Sequence, residues 1–254
     1  MNQTIDHIVI LGGGTAGWLT ANILAAEFDP SSPISITLLE SPTTPTIGVG
    51  EGTWPSMRST LLKVGISEQD FISCCGATLK QGTLFTGWRT GGDETYYHPF
   101  TMPHGFMDIN LAEYWNSGVL GKQSFAQAVT PQFDVCEAGL APKQLQIPEY
   151  AFSLNYGYHL DAGKFAALLR DHAVGKLGVK HILADVTDVQ SRADGDIDFL
   201  LTSEGSLHGD FFVDCSGFRS LLLGEHFGVP TERKDSVLFN DRALAVQVPY
   251  SNPN

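Results

Sequence analysis

The sequence has few basic residues, few cysteines and no long apolar run. Lys and Arg account for 15 of its 254 residues, against 28 Asp and Glu, and the basic residues are not clustered. Nucleic acids and anionic membranes are bound through clustered positive charge, so this composition argues against both as partners. The four cysteines show neither metal-ligand spacing nor the density of a disulfide scaffold, so we expect reduced thiols and no metal site.

Two further absences concern targeting. Residues 1–6 lack the cationic start of a signal peptide, and glycines interrupt the apolar run that follows them. No apolar stretch reaches the roughly 18 residues that cross a bilayer. The expected location is therefore the cytoplasm. The 43% of hydrophobic residues is ample for a buried core.

The first forty residues predict a nucleotide-binding strand–helix–strand unit. Residues 7–11 and 34–40 are short apolar runs typical of strands buried on both faces. Residues 15–28 between them have the pattern of a helix that ends before a proline. The three elements fit a right-handed βαβ crossover.

A glycine motif lies at the turn between the first strand and the helix. Gly12, Gly14 and Gly17 form G-x-G-x-x-G, in which the first glycine permits a tight turn and the third permits close packing. The second lets a pyrophosphate approach the backbone at the helix N-terminus. Glu40 ends the second strand, where an acid accepts hydrogen bonds from ribose hydroxyls. The alternative is a surface turn beside a solvated Glu.

The next segments predict an irregular strap and a helix. Residues 45–57, called the strap here, carry too many glycines and prolines for a regular element. Ser67 resembles a helix cap, and apolar residues at helical spacing extend from Phe71 to Leu79, with Gly82 placed to end the helix. Lys80 would then lie in the last helical turn. Residues 85–125 are rich in aromatics, which indicates either a thick core or a pocket for a flat ligand.

The remainder predicts a return to the nucleotide-binding fold. We expect a helix over residues 160–177 and three strands over residues 180–190, 197–202 and 211–214, joined by turns as a meander. Residues 243–248 alternate like a strand in the middle of a sheet. The sequence therefore predicts a chain that stops inside a longer protein.

Four segments together resemble the flavin-dependent halogenases of the tryptophan halogenase family. They are residues 12–18 (GGGTAGW), 47–57 (IGVGEGTWPSM), 158–161 (YHLD) and 214–219 (DCSGFR). The resemblance implies an α/β, Rossmann-like FAD-binding domain of the glutathione-reductase type, with an inserted substrate-side region and a truncated end. The implied segments are residues 1–84 (FAD-binding βαβ unit, strap and lysine helix), 85–157 (substrate side) and 158–254 (return to the FAD domain, stopping mid-domain).

The glycine motif and the resemblance together assign FAD contacts. The predicted FAD-binding residues are Gly12, Gly14, Thr15, Ala16, Gly17, Glu40, Val49, Gly50, Glu51, Val186, Asp214 and Gly217. A Gly-rich loop is also a common connector, so the strap alone does not identify a flavin site. Asp214 and Ser216 are also good N-cap residues for a helix predicted over residues 218–223, so capping competes with cofactor binding at Asp214.

The resemblance also implies the reaction. These halogenases use reduced FAD, oxygen and a halide ion to form hypohalous acid, which a lysine directs onto the substrate, and Lys80 matches that lysine. His98 and Phe100 match positions that enclose an indole-like substrate, for which aromatic rings supply stacking area. The alternatives are a lysine that stabilises helix carbonyls and a structural histidine. The resemblance further implies a separate flavin reductase that supplies FADH2, and a homodimer.

One family signature, W-x-W-x-I-P, does not occur in residues 1–254. It would lie beyond them, together with the glutamate that works with the lysine. The leading hypothesis is therefore an FAD-dependent halogenase or its N-terminal part. The rival hypotheses are a flavin monooxygenase or oxidoreductase of the same fold, and a non-catalytic FAD-binding fragment.

Overall fold

The computed structural model describes residues 4–28, 31–44, 50–240, 242 and 244. The chain divides into two compact units. We call residues 1–50 with 162–254 the split unit, and residues 51–161 the inserted unit. Residues 45–49 of the strap, which include Val49, lie outside the described residues, as do all but one residue of the strand predicted over residues 243–248.

The described strands and helices are numbered in chain order. The strands are β1 His7–Leu11, β2 Ser35–Glu40, β3 Gly50–Gly52, β4 Thr78–Lys80, β5 Gly82–Thr86, β6 Thr95–Pro99, β7 Gly157–Asp161, β8 Lys180–Leu183, β9 Val186–Ser191, β10 Ile197–Thr202, β11 Gly205–His208 and β12 Phe211–Asp214. The helices are α1 Thr15–Glu27, α2 Ser56–Val64, α3 Glu68–Cys75, α4 Leu111–Asn116, α5 Phe125–Val129, α6 Gln132–Glu137 and α7 Ala162–Lys176. A 3-10 turn, Gly217–Arg219, and a π-helix, Leu221–His226, follow β12.

A parallel sheet forms the centre of the split unit. Its strand order is β12-β1-β2-β8, and β1 pairs in parallel with both β2 and β12. Four of the five residues of β1 are buried, as expected for a strand covered on both faces. An antiparallel sheet of order β11-β10-β9 supplies core residues such as Val189 and Leu200 that pack with Val9 and Leu39. The predicted α/β fold and the β1-α1-β2 unit are confirmed.

Helix α1 buries Gly17, Trp18, Ala21 and Asn22. The small residues allow close packing, and the amide of buried Asn22 donates to the Leu169 carbonyl of α7 at 2.9 Å. This bond joins the two helices. It also satisfies the buried amide nitrogen of Asn22, whereas the amide oxygen has no hydrogen-bond partner among the described residues.

Several predicted boundaries in the second half of the chain were wrong. The strand predicted over residues 180–190 is two strands, β8 and β9, which belong to different sheets. Strand β11 was not predicted. The antiparallel meander consists of β9, β10 and β11, whereas β12, which was predicted to belong to it, joins the parallel sheet. The helix predicted over residues 160–177 starts at Ala162, because Leu160 and Asp161 are the last residues of β7. The helix predicted over residues 218–223 is the 3-10 turn followed by the π-helix.

The inserted unit contains two small sheets. One has the order β3-β7-β4, and the other is the β5-β6 hairpin. The strap was predicted to be irregular through residue 57, but Gly50–Gly52 forms β3 and helix α2 begins at Ser56. The aromatic-rich segment is only partly buried: Phe85 stacks on Tyr96 with ring centroids 4.9 Å apart, whereas Trp88 is exposed.

The helix that was predicted to carry Lys80 is shorter than expected. Ser67 does cap α3, since its hydroxyl accepts the Asp70 N–H at 3.0 Å. The helix ends at Cys75, however, where Gly76 takes a left-handed φ of 56°. Lys80 lies on β4, which pairs with β7, so its predicted position in a helical turn was wrong. Pairing with a distant strand overrides the local helical spacing of the apolar residues.

Glu68, at the start of α3, is buried at the centre of the inserted unit. Its carboxylate accepts hydrogen bonds from the hydroxyls of Tyr156 (2.5 Å) and Tyr158 (2.7 Å), the Lys143 ammonium (2.9 Å) and the Tyr150 N–H (3.0 Å). Burial by itself would raise the pKa of Glu68, but these four donors outweigh it and hold the pKa below the ordinary value of 4.5. The ionised carboxylate therefore ties α3 to the segment that leads into β7.

We expect Glu68→Gln to destabilise the inserted unit by about 3 kcal/mol, because the amide removes the charge that pairs with Lys143 and replaces one of the two acceptor oxygens with a donor. Urea unfolding followed by tryptophan fluorescence measures this, since Trp54, Trp88 and Trp115 all belong to this unit. Asp70→Asn is the matched control. Asp70 is an exposed acid in the same first turn of α3, so only a small loss of helix-dipole stabilisation is expected.

The same carboxylate predicts a pH dependence. Because the pKa of Glu68 is lower in the folded state, the unfolded chain binds the proton first as the pH falls below 4.5. The stabilisation is present above that pH and is lost as the pH falls through the folded-state pKa. The stability difference between Glu68→Gln and the unsubstituted protein should therefore shrink in acid. A difference that stays constant from neutral pH into acid would contradict this assignment.

Candidate functional site

The glycine turn lies at the carboxyl edge of the parallel sheet. Gly12 has a φ of 118°, and a Cβ there would lie 2.2 Å from the Cys215 carbonyl oxygen. A Cβ at Gly17 would lie 1.8 Å from the Gly12 carbonyl oxygen. Both distances are far below any real contact, so these two positions accept only glycine. The backbone at Gly12 is therefore packed against the backbone of the loop after β12, and α1 packs against the Gly12 carbonyl at Gly17.

Gly14 differs from the other two glycines of the motif. It precedes α1 in extended conformation, with φ −78° and ψ −177°, and a Cβ there would meet nothing within 4 Å. The helix N-terminus begins at the next residues, Thr15 and Ala16. A helix start supplies N–H groups and a positive dipole end, so the open space at Gly14 can hold a phosphate group.

Glu40 ends β2 beside the same turn. Its carboxylate lies against Gly13, where a Cβ would come within 2.1 Å of the Glu40 Cδ. Nε2 of His181, on β8, lies 2.8 Å from Glu40 Oε2. Glu40 was predicted as a cofactor contact and His181 was not, because nothing in the local sequence indicates that β8 lies next to β2.

The Asp214 carboxylate organises the loop after β12. One oxygen accepts the N–H groups of Leu222 (2.8 Å) and Leu223 (3.1 Å), and the other accepts the N–H and hydroxyl of Ser216. Burial opposes ionisation, but these bonds prevail and lower the pKa of Asp214. The capping role proposed as the alternative is thus present. Gly217 follows with a φ of 69°, and its Cβ position is open.

Val186 starts β9 near the end of β2. The Ala184 N–H donates to the Glu40 carbonyl at 3.0 Å, and Val186 packs against the core that contains Ala184. The structure therefore brings the loops after β1, β2, β8 and β12 to one edge of the sheet, as in other doubly wound folds. Among the described residues, the predicted FAD contacts of the split unit all lie in or beside these loops, apart from Gly50 at the unit's boundary.

Lys80 lies on one face of the β3-β7-β4 sheet in the inserted unit. The register pairs Thr78 with His159 and Lys80 with Gly157, so Lys80 and His159 are diagonal neighbours on the same face. A Cβ at Gly52 of β3 would lie 3.1 Å from the Lys80 Nζ and 3.3 Å from the His159 Nδ1. The missing side chain at Gly52 therefore leaves room for both polar groups.

The electrostatics of this face follow from its two nitrogen-bearing groups. Partial burial, and then the positive charge of Lys80, lower the pKa of His159 below its ordinary 6.5. Near neutral pH the imidazole is uncharged and can accept a proton or a hydrogen bond. The lysine supplies a positive donor to a ligand on this face, and the neutral histidine beside it does not add a second charge.

An aromatic pair adjoins the lysine. The Lys80 Nζ lies 5.5 Å from the centre of the Phe100 ring, and Trp54 contacts that ring with centroids 5.5 Å apart. Phe100 is buried, whereas Trp54 is 65% exposed. His98 is exposed on β6, two residues before Phe100. Trp54 was part of the strap sequence, but its contact with Phe100 was not foreseen.

Of the predicted FAD contacts in the strap, Gly50 and Glu51 lie on β3, and Val49 is outside the described residues.

The described residues were also compared with the requirements of a metal site and of a membrane span. No group of three or more His, Cys, Asp or Glu side chains in the described part of the chain is arranged to hold a metal ion. No helix within the described ranges has the length and apolarity to cross a membrane.

Comparison with known proteins identifies the family. The family model for tryptophan halogenase matches residues 7–254. Tryptophan 6-halogenase ThaL of Streptomyces albogriseolus is 36% identical, over 99% of this chain and 50% of ThaL. The crystal structure of tryptophan halogenase from Shewanella frigidimarina NCIMB 400 has a TM-score of 0.93 and 50% identity, over 99% of this chain and 50% of that one.

A further solved structure, the flavin-dependent halogenase Xcc4156 from Xanthomonas campestris, has a TM-score of 0.80 and 33% identity, over 92% of this chain and 46% of that one. The chain thus spans about half the length of these relatives. The same segments that carried the resemblance lie within the matched residues. The chain belongs to the tryptophan halogenase family.

Proposed function

We propose that the chain is the FAD-binding and lysine-bearing part of an FAD-dependent halogenase that acts on an aromatic, indole-like substrate. The observation that carries the proposal is the position of Lys80, whose ammonium lies over Gly52 next to the neutral His159 and the Phe100 ring. Relatives that are named tryptophan halogenases or flavin-dependent halogenases support it. Because the chain covers about half of these relatives, the activity is proposed for the intact protein.

The split unit fits FAD. Its glycine turn leaves open space only at Gly14, where the helix N-terminus can stabilise a pyrophosphate, and the Glu40 carboxylate is placed to accept ribose hydroxyls. Gly217, with open space at its Cβ position, would let the loop after Asp214 approach the cofactor. FAD bound in reduced form would supply part of the electrons that reduce oxygen, and a halide ion would supply the rest, so that hypohalous acid, water and oxidised FAD are formed.

Lys80 would direct the hypohalous acid. Its ammonium donates a hydrogen bond to the acid's oxygen and makes the halogen more electrophilic. An aromatic carbon of the substrate then forms a bond to the halogen while the halogen–oxygen bond breaks, and the oxygen leaves as water with the lysine's proton. The ring proton is released to a base, and the lysine is reprotonated from solvent. These steps convert an aromatic C–H and hypohalous acid into an aromatic C–halogen and water.

The aromatic residues suit a flat substrate. Phe100 and Trp54 give stacking area beside the ammonium, and His98 lies on β6, two residues before Phe100. Positioning one ring carbon near the lysine would set the site of halogenation. The proposal also includes a separate flavin reductase as the source of FADH2 and a homodimer, both of which follow from the resemblance.

We expect Gly14→Leu to abolish FAD binding without unfolding the protein, because the position is extended and open in the protein alone. The leucine would occupy the space that the pyrophosphate needs. Flavin fluorescence titration measures binding, and circular dichroism measures folding. Gly175→Leu is the matched control, since Gly175 lies on α7 with nothing within 4 Å of its Cβ position. Unchanged FAD affinity in Gly14→Leu would remove the glycine turn from the proposed site.

We expect Lys80→Ala in the intact protein to reduce halogenation by a factor of roughly 100 or more while FAD binding is kept. The assay supplies FAD, a flavin reductase, NADH, oxygen, bromide and a panel of indoles, and it detects brominated product by mass spectrometry. Lys122→Ala is the control, because Lys122 is an exposed lysine of the same unit.

Each rival function gives a different result in this assay. Hydroxylated product would indicate a flavin monooxygenase, and NADH oxidation without the reductase would indicate a flavin oxidoreductase. Bound FAD with no product from any indole would indicate a non-catalytic flavin-binding protein. Full bromination by Lys80→Ala would overturn the role of the lysine.

A further inference from the structure

We propose that His181 is a positioning residue for the cofactor: it fixes the Glu40 carboxylate so that one oxygen faces the ribose of the adenosine half of FAD. The inference rests on the proposed FAD binding and deepens it. It concerns residues of the split unit alone. None of the motifs that carried the family resemblance includes His181.

The two side chains meet because of the register of β2 and β8. Leu38 pairs with His181, and Glu40 pairs with Leu183, so Glu40 and His181 are diagonal neighbours on one face of the sheet. Nε2 of His181 lies 2.8 Å from Oε2 of Glu40. An ionised carboxylate can only accept a hydrogen bond, so Nε2 carries the proton and donates.

A second contact fixes the imidazole. His181 packs edge-on against Trp18 of α1, with ring centroids 4.9 Å apart and an interplanar angle of 74°. Trp18 is itself almost fully buried. The histidine ring is therefore held between a rigid aromatic side chain and the carboxylate, which limits its rotamers.

The hydrogen bond assigns different roles to the two carboxylate oxygens of Glu40. Oε2 accepts from His181, while Oε1 lies over the glycine turn, 2.5 Å from where a Cβ of Gly13 would be. Glycine at position 13 therefore lets the carboxylate approach the same turn that offers the phosphate-sized space at Gly14. Oε1 is the oxygen placed to accept a ribose hydroxyl.

Fixing the carboxylate before the ligand arrives should strengthen binding. A glutamate that is free to rotate loses side-chain entropy when it is ordered on a ligand, and a fixed one has already lost it. His181 would thus act on FAD through Glu40, without contacting FAD itself.

The test is a double-mutant cycle on FAD affinity in the intact protein. We expect His181→Leu to weaken FAD binding roughly tenfold in a flavin fluorescence titration. In a Glu40→Ala background the same change should have little further effect, because no carboxylate remains to be positioned. His181→Gln should restore most of the affinity, since its amide N–H can take the place of Nε2–H.

His208→Leu is the matched control. His208 also packs on an aromatic ring, that of Phe199, but it lies on β11, away from Glu40. It should bind FAD like the unsubstituted protein.

The outcomes separate the two proposals. If the unsubstituted protein does not bind FAD, the proposed function fails and this inference fails with it. If it binds FAD and His181→Leu binds equally well, only the role of His181 is overturned. Equal weakening by His181→Leu with and without Glu40 would also overturn it, because that result indicates a packing role against Trp18.

Discussion

The proposed FAD site depends on one constraint, which is that β1 pairs in parallel with β2 on one side and with β12 on the other. Leu11 lies opposite Leu39 in one ladder and opposite Asp214 in the other. Three chain segments therefore end at the same edge, although about two hundred residues separate the first from the last. The turn after β1 can approach the loop after β12 only because Gly12 has no side chain, and α1 can pack against the turn only because Gly17 has none. Backbone contact, rather than side-chain packing, shapes the place where a pyrophosphate would lie.

The parts of the fold that could be predicted are those specified by local sequence. Short stretches of sequence were enough to predict the strands β1 and β2, helix α1 and the cap at Ser67. The periodicity of apolar residues, the spacing of glycines and the preference for certain capping residues all act over a few residues. Lys80 shows the limit of this approach. Helical spacing of Phe71, Cys75 and Leu79 extended the helix too far, whereas Gly76 and the pairing of β4 with β7 place the lysine on a strand. The sequence also predicted a division by expected function into residues 1–84, 85–157 and 158–254. The two compact units are defined by contacts between residues and do not test that division, so it stays a prediction.

The site itself could be predicted only in part, for the same reason. The glycine motif and Glu40 belong to one contiguous unit, so their joint position followed from the sequence. The partners His181, His159 and Trp54 depend on strand register or on contacts between segments that are distant in sequence. A single sequence does not show which distant strands lie side by side, so it does not show which of their residues face each other. The resemblance supplied Lys80 but not the neutral histidine that lies beside it.

Three carboxylates differ in the number of protein donors that each already has, and this number bears on which of them could contact the proposed cofactor. Glu68 accepts from four donors of its own unit, and Asp214 likewise accepts from four, so each is already satisfied without a ligand. Glu40 differs, since His181 is the side-chain partner that the described residues give it and its other oxygen faces the glycine turn. Asp214 would then serve the cofactor by holding the loop at Gly217 in shape, while Glu40 would contact it. The protein donors around each carboxylate are therefore the observation on which this division of roles is proposed.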